Sequence, residues 1–209
     1  MMQYVFLMVF SMLTCFARAQ PRDTVDYYLD GTIRGKGLVS RGKKEGLWTY
    51  YYPSGQVSAT EPYLAGRLDG QVTYYFPKGT LLGKETWVKG ALQDSAWYYS
   101  PGGAMERKGR YRDSRYDGRW LYFFPDGRLE RHVSYADGLP EGETSVFLEG
   151  GVLAQSGYYK GGLEDSVWRF YNKSGKIEFE GSYQKGKRIG TWYTFTKRGV
   201  RKVWNYDPD

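Results

Sequence analysis

Histidine and cysteine, which often carry nucleophilic or metal chemistry, occur once each in this chain of 209 residues. The histidine is His132, and the cysteine is Cys15. A structural zinc site needs about four cysteine or histidine ligands. A Ser-His-Asp triad would have to use His132, and its neighbours show no such pattern. We therefore expect His132 to be structural or solvent-facing, and we expect no catalytic site, no metal and no cofactor.

Acidic residues recur, but each stands at an equivalent position before a small residue. An acid–base pair requires two carboxylates in unlike environments, which a repeating pattern does not supply. Asp or Glu before a small residue is typical of turns, and we interpret Gly102-Gly103 and Gly161-Gly162 as turn glycines as well. The chain is therefore predicted to be non-enzymatic. The acidic steps are Asp69-Gly70, Asp94-Ser95, Asp117-Gly118, Glu141-Gly142 and Asp165-Ser166.

Basic residues cluster toward both ends of the chain, whose formal net charge is +7. Such clusters could bind anionic lipid head groups, polyanionic glycans or an acidic protein. The alternative is that they only keep the two ends soluble. Nucleic acid is not expected as a partner, because the aromatic residues follow a core periodicity. The candidate surface consists of Arg41, Lys43, Lys44, Lys185, Lys187, Arg188, Lys197, Arg198, Arg201 and Lys202.

Aromatic residues form a second candidate surface. Tyr51, Tyr75, Phe123 and Tyr171 alternate with a row of larger residues that includes Trp48. Stacked aromatics in register mostly build the sheet itself. A single sheet cannot bury both of its faces, however, so these four residues could form an exposed stripe that binds a partner chain or sugar rings.

These residues are positioned by a sequence repeat whose period is the interval from Gly31 to Gly55. Self-similarity at a fixed period indicates a repeat architecture whose units contact mainly their neighbours. A second aromatic follows the same interval from Tyr63 to Tyr183. The repeated structural positions are Gly31, Gly55, Gly79, Gly103, Gly127, Gly151, Gly175 and Gly199, with Trp48, Trp97, Trp120, Trp168 and Trp192.

Each copy is predicted to contain two strands and two turns. Trp48, Tyr50 and Tyr52 alternate along the first strand, and Pro53-Ser54-Gly55 predicts the hairpin turn that follows. The second strand alternates in the same way and ends at a second turn with Gly66. Val72 and Thr144 replace the tryptophan, so we expect looser packing in those two copies. Trp97 stands one residue late, with Ala96 at the expected position.

The pattern G-x-W-x-Y-[YF]-x-P-x-G, followed by Y-x-x-G-x-x-[DE]-G, resembles the bacterial variant of the MORN repeat. The resemblance covers nearly the whole chain after its N-terminal segment. It implies an all-β fold: an elongated array of about eight antiparallel β-hairpins in a single twisted sheet. At a strand spacing of about 4.8 Å, the array would be roughly 75–80 Å long.

The N-terminal segment is predicted to be an export signal. Residues 4–16 are mostly apolar and uncharged, and Ala17-Arg18-Ala19 fits a cleavage pattern. A lipoprotein signal that modifies Cys15 is the alternative, although Thr14 fits it poorly. Removing residues 1–19 lowers the net charge from +7 to +6, because Arg18 is lost. The predicted divisions are a signal peptide (1–19), a degenerate capping repeat (20–45), six repeats (46–189) and a truncated repeat (190–209).

Three functions agree with these observations. The first is an exported, periplasmic, outer-membrane-associated or secreted scaffold that binds protein partners or an anionic membrane surface. The second is a carbohydrate- or cell-wall-binding protein that uses the aromatic stripe. The third, implied by the family resemblance alone, is an antitoxin-like protein that neutralises a toxin.

Overall fold

The computed structural model describes residues 20–196 and 198–204. The predicted signal peptide (1–19), Cys15 and Lys197 lie outside these residues. The described chain is all-β, with 17 strands in a single sheet, which confirms the predicted fold class. No described residue lies in a helix that could cross a membrane. The strands are β1 (Arg22–Tyr27), β2 (Ile33–Ser40), β3 (Lys43–Tyr51), β4 (Val57–Leu64), β5 (Arg67–Leu68), β6 (Gly70–Tyr75), β7 (Leu81–Val88), β8 (Ala91–Tyr99), β9 (Met105–Arg112), β10 (Arg115–Phe123), β11 (Leu129–Ala136), β12 (Leu139–Phe147), β13 (Leu153–Lys160), β14 (Leu163–Tyr171), β15 (Ile177–Gln184), β16 (Lys187–Phe195) and β17 (Arg201–Trp204).

Consecutive strands pair antiparallel along the whole sheet. The strand β4 pairs with both β5 and β6, which are two parts of one interrupted strand. Because every pairing is between neighbours in sequence, each copy contacts mainly the next one. The described sheet is therefore an elongated hairpin array whose edges are β1 and β17.

One edge of the sheet, the long-turn edge, carries the turns predicted from Pro-x-Gly. The Gly55 amide donates to the Tyr52 carbonyl, and the Tyr52 amide donates to the Gln56 carbonyl, both at 2.8 Å. Gly55 has a φ of 83°, a left-handed conformation that glycine adopts without steric cost. This is a three-residue hairpin loop with a bulge at the glycine, as the sequence predicts.

The opposite edge, the short-turn edge, carries two-residue turns. Ala65 and Gly66 have φ values of 50° and 85°, so the turn is of the type whose twist matches that of its strands. The Gly66 amide also donates to the Lys44 carbonyl at 2.9 Å, one copy back. Equivalent bonds recur at Gly90, Ser114, Gly138, Gly162 and Gly186, so each short turn is tied to the preceding copy.

The acidic steps do not close turns, which corrects the sequence interpretation. Four of them lie inside the longer strands, where the register to the preceding strand shifts, and Asp69 lies between β5 and β6; Gly118 has a φ of 66°. Several of the acidic side chains accept a backbone N–H from the short turn of the next copy. The pairs are Glu45 with Ala65 (2.9 Å), Asp69 with Lys89 (3.1 Å) and Glu141 with Gly161 (2.6 Å).

Replacing Glu141 by alanine should therefore weaken the link between two copies. The Gly161 amide loses its partner, which should lower the free energy of unfolding by about 1 kcal/mol. Glu143→Ala is the matched control, because Glu143 is exposed on the same strand and forms no comparable bond within the described chain. Urea unfolding followed by circular dichroism measures both; equal effects of the two substitutions would contradict the capping role.

The core is a single row of side chains on one face, here called the Trp face. Successive members are one repeat period apart, and each is at most 4% exposed. Val72 and Thr144, where looser packing is expected, are as buried as the tryptophans, at 0% and 4% exposed. The row consists of Trp48, Val72, Ala96, Trp120, Thr144, Trp168 and Trp192.

The tryptophans of this row lie over glycines of the preceding strand. A Cβ added to Gly157 would lie 2.1 Å from the Trp168 ring, and one added to Gly109 would lie 2.2 Å from the Trp120 ring. Where the row has a smaller residue, the facing position on the preceding strand is larger. All seven pairs follow this rule: Gly37 with Trp48, Glu61 with Val72, Glu85 with Ala96, Gly109 with Trp120, Val133 with Thr144, Gly157 with Trp168 and Gly181 with Trp192.

Candidate functional site

The described residues contain no cluster of metal ligands. No group of three or more His, Cys, Asp or Glu side chains in that part of the chain could hold a metal ion. Burial, together with the nearby positive charge of Arg119, lowers the pKa of His132. The Nδ1 atom of His132 is buried and has no hydrogen-bond partner there.

Two of the predicted basic residues, Arg41 and Lys43, meet at the short-turn edge. They line a groove of about 580 Å³ together with Glu45, Leu64 and Ala65. Lys43 also lines the neighbouring groove of about 300 Å³, which continues along the same edge. Positive charge is therefore spread along the edge across successive copies.

Sequence reasoning missed two members of this basic edge, Arg67 and Lys89, which line the second groove. The repeat itself was the signal that could have found them. Arg67 stands one repeat period after Lys43, and Lys89 stands two periods after Arg41. We call Arg41, Lys43, Arg67 and Lys89 the basic edge.

Lys44 points to the Trp face and does not join the basic edge. Its ammonium lies 4.4 Å from the ring centroid of Trp48, 4.8 Å from Tyr50 and 5.1 Å from Tyr63. It also donates a hydrogen bond to the Tyr50 hydroxyl. A lysine held against three aromatic rings serves packing through cation–π attraction. The structure therefore separates Lys44 from its sequence neighbour Lys43.

The basic residues near the C-terminal end also divide between surfaces. The Arg188 guanidinium lies 4.7 Å from the Trp192 ring and 5.2 Å from the Trp204 ring. The Arg201 guanidinium lies 3.3 Å from the Tyr193 ring. Because Trp192 and Tyr193 are adjacent in one strand, the two arginines lie on opposite faces. The exposed residues Lys185, Lys187, Arg198 and Lys202 complete the described part of this group.

The aromatic stripe lies on the other side of the sheet, here called the stripe face. Tyr51, Tyr75, Phe123 and Tyr171 occupy equivalent register positions, opposite Val57, Leu81, Leu129 and Ile177. All four are half-buried. Their equivalent register places them in one row, and the period extends that row beyond the residues that sequence reasoning selected. The additional members are Tyr27, Tyr99, Phe147 and Phe195.

Lysines from neighbouring strands lie over this row. The Lys36 ammonium is 5.6 Å from the Tyr51 ring centroid, and the Lys108 ammonium is 5.7 Å from the Phe123 ring centroid. Ser156 and Tyr171 share a hydrogen bond of 3.2 Å. The stripe face therefore combines aromatic rings with positive charge, a combination that the sequence analysis had not associated with it.

Trp97 does not belong to the buried tryptophan row, which corrects its assignment as an equivalent structural position. Ala96 is 0% exposed and fills the core position. Trp97 is half-buried on the stripe face. Its neighbours across the sheet are Lys84 on one side and Lys108 on the other. The one-residue offset in the sequence thus moves an indole from the core to the stripe face.

Solved structures resemble this chain only weakly. A GtfA/B complex bound to UDP and GlcNAc is 18% identical over 64% of this chain and 23% of that chain, with a TM-score of 0.23. A TcdB2-TccC3-TEV structure is 13% identical over 86% of this chain and 12% of that chain, with a TM-score of 0.23. A porin-like protein from Bacteroides uniformis ATCC 8492 is 8% identical over 81% and 88% of the respective chains, with a TM-score of 0.21. This chain thus spans less than a quarter of the first two, and similarity at this level carries no functional argument.

Sequence families are more informative. No curated protein matches this chain. A family model described as the MORN repeat variant matches it four times, at residues 44–65, 68–89, 116–137 and 164–185. Repeats of this kind indicate a protein-binding or scaffold protein, and the family is generally non-enzymatic. With the hairpin array and its constant repeat register, these matches show that the chain is a MORN repeat protein of the variant type.

Proposed function

We propose that this protein is a non-enzymatic scaffold of the cell envelope that binds an acidic protein partner through its basic edge. Export is supported by the apolar segment and the Ala17-Arg18-Ala19 pattern near the N-terminus. N-terminal sequencing of the protein recovered from the envelope should begin at Gln20. Recovery of the full chain in the cytoplasm would contradict the location.

One observation carries the choice of partner: the basic edge is not neutralised by its own acidic residues. Glu45 and Asp69 point their carboxylates at backbone amides of the following turns. The described chain forms no ion pair with Arg41, Lys43, Arg67 or Lys89. Their positive charge is therefore available to a partner, and complementary charge speeds and orients protein association.

Apolar side chains accompany this charge. Leu64 is 57% exposed and Val88 is 45% exposed, and each precedes a short turn of the basic edge. Exposed aliphatic residues beside positive charge suit a protein surface, because interfaces combine an apolar centre with a polar rim.

Reversing three charges of the basic edge should weaken partner binding. The variant Arg41→Glu, Lys43→Glu, Arg67→Glu is compared with Lys78→Glu, Lys173→Glu, Lys176→Glu, which changes the net charge equally at the exposed long-turn edge. Cross-linking in the envelope identifies the partner, and titration of the purified pair measures affinity. We expect binding at least about tenfold weaker for the first variant and a salt dependence in the wild type.

Equal binding by the two variants would contradict the assignment to the basic edge. The same proteins are mixed with anionic and neutral vesicles as a second arm. Binding to anionic vesicles that is lost only in the basic-edge variant, with no protein captured, would assign the edge to a membrane surface instead. The toxin-neutralising hypothesis stays a prediction without a structural observation that favours it.

A further inference from the structure

Trp97 is an indole that the core of the sheet does not use. The core position beside it is filled by Ala96, and the wider space there is occupied by a polar cluster around Glu85. The Glu85 carboxylate accepts hydrogen bonds from Tyr98 (2.6 Å), Tyr74 (3.1 Å) and the Trp87 indole (3.1 Å). The core position on the Trp face is thus filled without Trp97, whose side chain is half-buried on the stripe face.

The neighbours of Trp97 on this face are positively charged. Lys84 and Lys108 stand directly opposite Trp97 on the two adjacent strands, so their Cβ atoms lie about 5 Å from that of Trp97. On β9, Lys108 and Glu106 share a face by alternation. Glu106 lies nearer the long-turn edge, where it lines a groove together with Phe123, so the positive charge of the site is concentrated at Lys84 and Lys108 and not along the row of rings.

Three rings of the aromatic row surround this set. Tyr99 lies two residues from Trp97 on the same strand and therefore on the same face. Tyr75 and Phe123 occupy the equivalent positions in the copies before and after. Successive rings lie on every second strand, so the row repeats about every 9.6 Å. That interval is close to the length of a disaccharide in an extended β-linked glycan.

We propose that Lys84, Trp97 and Lys108 form a binding site for an acidic, β-linked glycan chain, which Tyr75, Tyr99 and Phe123 extend in both directions. Sugar rings present flat C–H faces that stack on an indole, and carboxylates on the sugar pair with the two ammonium groups. The surface is open and repetitive, which suits an extended polymer better than a small molecule that requires a concave pocket.

The same geometry argues against a peptide occupant. The strands that carry the site, β7, β8 and β9, are each hydrogen-bonded on both sides. No free sheet edge is therefore present at the site for the addition of a peptide strand. The site is also separate from the basic edge, since it lies in the middle of the sheet face and not at the short turns.

The test uses a matched pair of probes on the folded protein. Hyaluronan hexasaccharide carries a carboxylate on every second ring, whereas chitohexaose is a neutral β-linked chain of similar length. Affinity is measured by calorimetry, and acrylamide quenching reports on tryptophan exposure. Four of the seven tryptophans (Trp48, Trp120, Trp168 and Trp192) are at most 2% exposed, so Trp97 shares the quenchable signal with Trp87 and Trp204.

We expect hyaluronan to bind more tightly than chitohexaose and to protect the quenchable fluorescence. Trp97→Ala should weaken hyaluronan binding at least about tenfold, in the manner of an aromatic anchor, and Trp97→Tyr should retain most of it. Lys84→Gln with Lys108→Gln should remove the preference for the acidic chain. Circular dichroism verifies that each variant is folded.

Three results would overturn the proposal. They are the absence of hyaluronan binding, an unchanged affinity in folded Trp97→Ala, and equal binding of an oligoglutamate peptide at the same residues. The basic-edge variant should bind hyaluronan like the wild type. Loss of glycan binding in that variant would place the site at the edge, so failure of this proposal is distinguishable from failure of the scaffold proposal.

Discussion

A valine in place of Gly157 should be among the most damaging single substitutions in the sheet. Its Cβ would lie 2.1 Å from the Trp168 ring, and that ring is 1% exposed and donates to the Tyr158 carbonyl at 3.2 Å. The indole cannot remain in place, so the core loses most of the stabilisation that a Trp168→Ala substitution would remove. We expect the free energy of unfolding to fall by about 3–5 kcal/mol, measured by urea unfolding.

The native pairs supply both the rescue and the control for this prediction. The chain already combines Val133 with Thr144 at the equivalent positions, so Gly157→Val together with Trp168→Thr should be less harmful than the sum of the single changes. Gly150→Val is the control, because a Cβ there meets nothing within 4 Å, and it should cost less than about 1 kcal/mol. Additive effects in the double variant would contradict the pairing of a small residue with a large one at the facing positions.

The sheet should also lose its stability in alkaline solution. Burial and hydrogen bonds to carboxylates raise the pKa of Tyr63, Tyr74 and Tyr98 well above the ordinary value. Burial is the main cause at Tyr122 and Tyr159 as well, and it raises the pKa of Tyr111 to about 12. These phenols stay neutral in the folded chain at a pH where they ionise in the unfolded chain.

The direction of the effect follows from proton binding. A raised folded-state pKa contributes stability that is complete below pH 10, the ordinary tyrosine value, and that is lost as the pH rises toward the folded-state pKa. A displacement from 10 to about 12 is worth at most about 2.7 kcal/mol, and solvent screening at half-exposed sites reduces it to about 1 kcal/mol. Several tyrosines with raised pKa values together supply a substantial part of the total stability of an ordinary domain.

We therefore expect cooperative unfolding above pH 10, with the ultraviolet absorbance of phenolate rising together with the loss of circular dichroism. Glu85→Gln should reduce this sensitivity, because the neighbouring phenols would no longer face a fixed negative charge when they ionise. A phenolate signal that rises around pH 10 while the circular dichroism stays unchanged would contradict the prediction, since it would show that the tyrosines titrate freely in the folded sheet.

Local geometry explains which parts of the architecture the sequence could predict. Gly55 in a Pro-Ser-Gly turn and the alternation of Trp48, Tyr50 and Tyr52 depend on φ values and on the two-residue period of a strand. Both are properties of a few adjacent residues, and both recur once in each copy of the repeat. The repeat also identifies the aromatic row, and it would have identified Arg67 and Lys89 had the period been applied to the basic residues.

Side-chain contacts between strands could not be predicted from neighbouring residues in the sequence. The acidic residue of each step is near a glycine in sequence, which suggests a turn, yet Glu141 caps a turn that lies 20 residues later. Lys43 and Lys44 are adjacent, but strand alternation sends one to the basic edge and the other onto the rings of the Trp face. Such assignments depend on which strands pair and in which register.

The sequence by itself determined the repeat, the hairpin turns and the all-β array, because these follow from a periodicity of residue types that any copy shows. Only the tertiary structure decided which side chains form the candidate surfaces. The register of each long strand shifts against its predecessor around the core residue, and a tryptophan fits where that predecessor carries glycine. An offset of one residue at Ala96 reverses the direction of the next side chain, and this places Trp97 on the opposite face between Lys84 and Lys108.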